Sequence, residues 1–137
     1  MIDFDFRREA HGLVMELQTA TGDDSLFIPE DAFGFVESCV TTAWPPYANH
    51  GHWGRTTIAP AAWRDISNAK KALRQSLIGA KDLSEVDGIG FLFSHLRAEF
   101  SGDFEANRVG LARMIDAICE WLEIWIARSV PVTIVGV

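Results

Sequence analysis

The chain is predicted to be an α+β protein: an N-terminal antiparallel β-hairpin or meander, about four helices, and a C-terminal strand returning to the sheet. Three observations lead there. Up to Ile28 apolar residues alternate with polar ones at period two, the central and later segments carry apolar residues at steps of three and four, and the last residues form a short β-branched run. A length of 137 residues with 48% hydrophobic content suits one domain, 1–137, able to bury a core without disulfides or metals.

Taken in order, Ile2, Phe4 and Phe6 alternate with Asp3, Asp5 and Arg7, and after Glu9-Ala10-His11-Gly12 the alternation resumes through Leu13, Met15 and Leu17. That pattern predicts a hairpin with one buried face. Thr21-Gly22-Asp23-Asp24 supplies the next turn, and Ser25 to Ile28 a third strand. A helix follows from Pro29–Asp31, its acids favouring the positive end of the dipole, and runs through Phe33, Val36, Cys39 and Val40 until Pro45-Pro46 stops it. Arg55 to Ile58 is weakly strand-like. Pro60 opens a second helix with Trp63, Ile66, Ala69, Leu73 and Leu77 as its apolar stripe and Lys70, Lys71 and Arg74 as its basic side. A third helix is expected after the capping signals at Asp82–Glu85 or Ser84–Asp87, through Ile89, Leu92, Phe93, Leu96 and Phe100. The fourth, from about Phe104 to Arg128, has the widest apolar face, and Val132 to Val137 reads as a buried strand that must pair with strands laid down early.

Charge is divided by segment. Residues 1–37 carry nine acids against Arg7 and Arg8, residues 38–81 carry six basic residues against Asp65, and residues 82–137 carry nine acids against four arginines, for a net charge of −7. Nucleic-acid binding is therefore not expected, because phosphate neutralisation needs positive surface. No basic leader precedes an apolar stretch at the start, and charged residues interrupt the most apolar helix, Val109 to Ile126, so neither export nor a membrane span is expected. The two cysteines, Cys39 and Cys119, each fall on an apolar helix side and are read as free thiols of a cytoplasmic protein.

Recognition chemistry concentrates between Trp44 and Trp63, where WPPYANHGHWGRTTIAPAAW holds three tryptophans, the only tyrosine and two of the four histidines. His50 and His52 could share a divalent ion from extended backbone, but no further spaced ligand pair completes a site. The segment Gly51–Arg55 could form a small anion nest, although a turn explains it as well. No nucleophile elbow, phosphate loop or catalytic cysteine context occurs. Asp116, Glu120 and Glu123 share one helix stripe, read either as pairing with Lys70, Lys71 and Arg74 or as an acidic patch awaiting a basic partner.

In its small size, acidic surface, aromatic loop with acidic flanks and missing catalytic signatures, the chain resembles the immunity proteins of bacterial toxin systems, including those of contact-dependent inhibition. The resemblance implies a protein that inhibits a basic cognate toxin or nuclease domain, with carboxylates standing in for phosphates and aromatic rings as anchors. The contact is placed among Asp3, Asp5, Glu16, Tyr47, His50, His52, Trp53, Arg55, Glu120 and Glu123. No catalytic residue, metal or cofactor is assigned. The alternative is a small metal- or anion-binding enzyme using the His50/His52/Arg55 loop, and a third reading is a homo-oligomer in which the loop packs on its symmetry mate.

Overall fold

In the computed structural model, which describes residues 1–10, 12–49 and 52–136, four strands and four helices form an α+β fold. The strands are β1 (Val14–Thr19), β2 (Ser25–Pro29), β3 (Arg55–Ile58) and β4 (Val132–Val135). The sheet is antiparallel throughout in the order β2-β1-β4-β3, so the late strand sits between β1 and β3. The expected return of the chain end to the sheet is thus observed, and β3 pairs only with β4 among the described residues.

The helices are α1 (Glu30–Ala43), α2 (Pro60–Gly79), α3 (Ser94–Gly102) and α4 (Phe104–Ala127). None is long and apolar enough to cross a membrane among the described residues. They cover one face of the sheet. Met15, Leu17, Leu26, Ile28, Thr56, Ile58, Val132 and Ile134 point into the helical layer and are buried. On the opposite face, Val14, Glu16, Gln18, Ser25, Phe27, Arg55 and Thr57 are half-buried or exposed, and Thr133 is buried among them. Strand register aligns Phe27, Glu16, Val135 and Arg55 in one row of that open face, and Ser25, Gln18, Thr133 and Thr57 in the next.

Three sequence expectations change. The first hairpin is β1–β2, not a pairing of Ile2–Arg7 with Leu13–Gln18. Asp3 accepts the Asp5 backbone N–H at 2.9 Å and pairs with Arg7 at 2.8 Å, a local turn that competes with extended pairing, and only Arg7 bridges to Phe27. Phe4 instead packs against Phe35 and Phe100, lying so close over Gly110 that a Cβ there would sit 2.5 Å from the ring. The third helix begins only at Ser94. Upstream, Leu83–Glu85 is a single 3-10 turn and Gly88 adopts a positive φ of 85°, which ends any helical run. Most unexpectedly, Lys70 lies on the buried stripe of α2 and not on its basic side. Trp63, Ile66, Lys70, Leu73 and Leu77 follow steps of three and four, and all five are buried. The other two basic residues do face outward. Arg74 pairs with Asp116 and Lys71 with Glu123, so the acidic stripe of α4 is largely matched by α2.

Candidate recognition site

The site grows from two glutamates on α1. Glu30 and Glu37 are seven residues apart, two turns along one stripe, with Gly34 between them on the same side. Neither is aimed at bulk solvent. Both reach His52, which the loop after α1 carries back over that helix: His52 Nε2 lies 2.9 Å from Glu30 Oε2, and Nδ1 lies 2.9 and 3.0 Å from the two oxygens of Glu37. Tyr47, in the 3-10 turn Pro45–Asn49, donates its hydroxyl to Glu37 Oε2 at 2.6 Å.

Both ring nitrogens of His52 face carboxylates, which only the imidazolium satisfies, since a neutral ring has one N–H. Burial alone would push the His52 pKa down, yet the hydrogen bonds and negative charge of Glu37 and Glu30 override it and hold the value above 6.5. The same burial and the same Glu37 charge keep the Tyr47 phenol protonated well beyond its ordinary range. The group is one cation between two anions, closed by a phenol. Beside it, a cleft of about 350 Å³ is lined by Glu37, Ser38, Thr41, Tyr47, His52 and Leu92 among others.

A second clamp acts on the other side of the loop. Gly136, just after β4, donates its N–H to Gly54 O at 2.7 Å, and a Cβ at Gly136 would lie 2.0 Å from the His52 carbonyl oxygen. Only glycine permits that approach. Between the clamps stands Trp53, 66% exposed, its indole edge-on to the His52 ring with centroids 4.9 Å apart. Two residues on, Arg55 lies on the open sheet face and donates to Gln18 Oε1 at 3.2 Å. Glu16, one row-mate of Arg55 across Val135, accepts from Ser25 Oγ at 2.7 Å.

The ten residues singled out from sequence therefore separate into groups. Trp53, Arg55 and Glu16 gather at the open face and its β3 edge. Tyr47 and His52 are buried, so they hold the loop and do not present a surface to a partner. Asp3 and Asp5 line a groove of about 700 Å³ between the N-terminal segment and α4, together with Arg7 and Arg113. Glu123 is paired with Lys71, and Glu120 is exposed on the same outer stripe of the helical layer, away from the open face. His50, and with it the His50–His52 metal pair and the Gly51 end of the anion nest, lies outside the described residues. Among the described residues no three His, Cys, Asp or Glu side chains are grouped to hold a metal. Cys39 and Cys119 are free buried thiols, as expected.

Glu30 and Glu37 were not among the sequence candidates, although Glu37 is the one charged residue of α1 beyond its acidic first turn. Comparison with family models, with curated proteins and with solved structures yields no match to this chain.

Proposed function

We propose that this chain is a protein-binding inhibitor of the immunity type, which neutralises a basic toxin or nuclease domain by occupying its surface. The observation that carries the reading is Trp53: a large indole two-thirds exposed, on a loop fixed from both sides. Tryptophan is, with tyrosine and arginine, among the residue types enriched at interface hot spots. The clamps remove the ordering entropy that a flexible anchor would lose on binding. A net charge of −7 supplies the long-range attraction to a basic partner. The open sheet face beside Trp53, with Arg55 and Glu16 in one row, offers a polar rim.

The enzyme reading has less behind it. Of the two histidines it would use, His52 has both nitrogens committed to carboxylates.

Calorimetric titration against the toxic domain, with cell survival during co-expression as the biological readout, tests the proposal. Binding that weakens with salt and with Trp53→Ala, together with protection of the cells, is the expected result. Absence of binding at low salt, or protection indifferent to Trp53, would overturn it.

A further inference from the structure

The two edges of the sheet are finished differently. At the β2 edge, the Thr19 N–H bonds the Asp24 carbonyl at 3.0 Å, and the alternation this sets along the β1–β2 ladder leaves Ser25, Phe27 and Pro29 to turn their backbone groups outward. Each is dealt with inside the chain. Phe27 exchanges both N–H and C=O with Arg7 at 2.8 Å, and Ser25 gives its N–H to Asp24 Oδ1 at 2.9 Å while its carbonyl accepts from Arg8 Nη1 at 3.4 Å. Pro29 has no N–H to offer, a usual protection of an edge strand.

The β3 edge has no such cover among the described residues. The Gly136 N–H bonds the Gly54 carbonyl at 2.7 Å, so by alternation Thr56 and Ile58 bond to β4, while Arg55 and Thr57 turn N–H and C=O away from it. The β1–β4 ladder gives the same parity. There the Ala20 N–H bonds the Pro131 carbonyl, which commits Thr133 and Val135 to β1 and leaves Val132 and Ile134 for β3. Arg55 and Thr57 are exposed, and their outward backbone groups have no hydrogen-bond partner among the described residues. Nor do their side chains guard the edge: Arg55 reaches inward across β4 to Gln18 of β1 at 3.2 Å, and Thr57 Oγ1 lies 2.8 Å from Thr133 Oγ1 of β4.

We propose that β3 is a strand-addition site whose occupant is β3 of a second copy of this chain, joining two four-stranded sheets into one across a two-fold axis. The outward groups are their own complement. Antiparallel pairing centred on Thr56 sets Arg55 opposite the second copy's Thr57 and Thr57 opposite its Arg55, so that every outward N–H of one copy meets an outward C=O of the other. No like charges meet in this register, whereas centring the pair on Arg55 would oppose two arginines. Because the β2 edge is closed, β3 is the sheet edge each copy has to offer, and association stops at two without running into a filament. Edge-to-edge pairing leaves the open face of both copies uncovered, and the inference does not rest on the toxin reading.

Analytical ultracentrifugation of the full chain at rising concentration, into the millimolar range, tests the proposal. The mass should climb to that of two chains and stop there. Added salt, which screens the charge of −7 on each copy, should favour the doubling, opposite to its effect on binding a basic toxin. Amide hydrogen exchange should show Arg55 and Thr57 becoming protected as the dimer fills, with Thr56 and Ile58 protected at every concentration. Thr57→Pro, which deletes an outward N–H and no bond to β4, should abolish the doubling, and where that variant fails to fold the exchange pattern decides. A mass of one chain at every concentration, growth past two chains, or a dimer in which Arg55 and Thr57 exchange freely would each overturn the assignment.

Discussion

At the residue scale, His52 and Lys70 are opposite solutions to burying a charge-bearing group. His52 is flanked by two carboxylates that favour its proton; Lys70 is buried on an apolar stripe, where burial pushes its pKa down. Their pH signatures therefore differ in sign. Because the folded His52 value is raised, its stabilisation is complete below pH 6.5 and is lost as pH climbs through the folded value. Denaturant unfolding across that range should show stability declining, and His52→Gln should flatten the slope. His52→Ala, which strands Glu30 and Glu37 against each other, should cost about 3 kcal/mol. For Lys70 the folded value is depressed, so the unfolded chain binds more protons below its ordinary 10.5, and the lysine's penalty shrinks as pH rises toward that value. Lys70→Met, which fills the stripe with an apolar side chain, should stabilise by about 1–3 kcal/mol near neutral pH. A melting temperature lowered by that substitution would mean the amine has a partner the packing does not reveal. Both residues were visible in sequence, but differently. The three-and-four spacing through Ile66, Lys70 and Leu73 places the lysine inside once periodicity is given priority over charge. Nothing local indicates that His52 reaches back to α1, because that depends on the path of the intervening loop.

Elements are positioned here by close backbone approaches as much as by apolar stripes. Gly34 on α1 admits Leu92, whose Cβ would be 2.9 Å from an added methyl, and Gly90 rests against the Gly34 carbonyl. The segment before α3 is thereby laid against α1 as non-helical chain. This explains why an apolar pattern that reads as helix from Ile89 onward is helical only from Ser94: tertiary contact at two glycines overrides it. The long helices were legible because their apolar faces repeat over many turns, and β3 was only faintly so because four residues carry little pattern. Gly136 is the sharpest test at this scale. Gly136→Ala must displace the His52–Trp53 backbone, so it should both destabilise the fold and alter the Trp53 fluorescence maximum. Stability and fluorescence both matching the parent chain would show that the loop is not clamped there.

Taken whole, the molecule has two unlike faces: a helical layer whose charges largely answer one another, and an open sheet beside one projecting indole. Trp53→Ala should leave stability within about 0.5 kcal/mol of the parent chain, as expected for an exposed side chain. Yet it should weaken partner binding by about 2 kcal/mol or more, roughly 30-fold. A loss of stability equal to the loss of affinity would instead mark the indole as part of the fold. The topology of the sheet also has a kinetic consequence. β3 cannot join β1 until β4 arrives between them, so the pairings that complete the sheet close loops spanning most of the chain. The β1–β2 hairpin and the α2–α4 pairing can form beforehand, whereas the sheet edge and its tryptophan wait for that last insertion. Refolding followed by Trp53 fluorescence should accordingly lag behind helix formation followed by circular dichroism, which makes the recognition surface the final part of the molecule to be built.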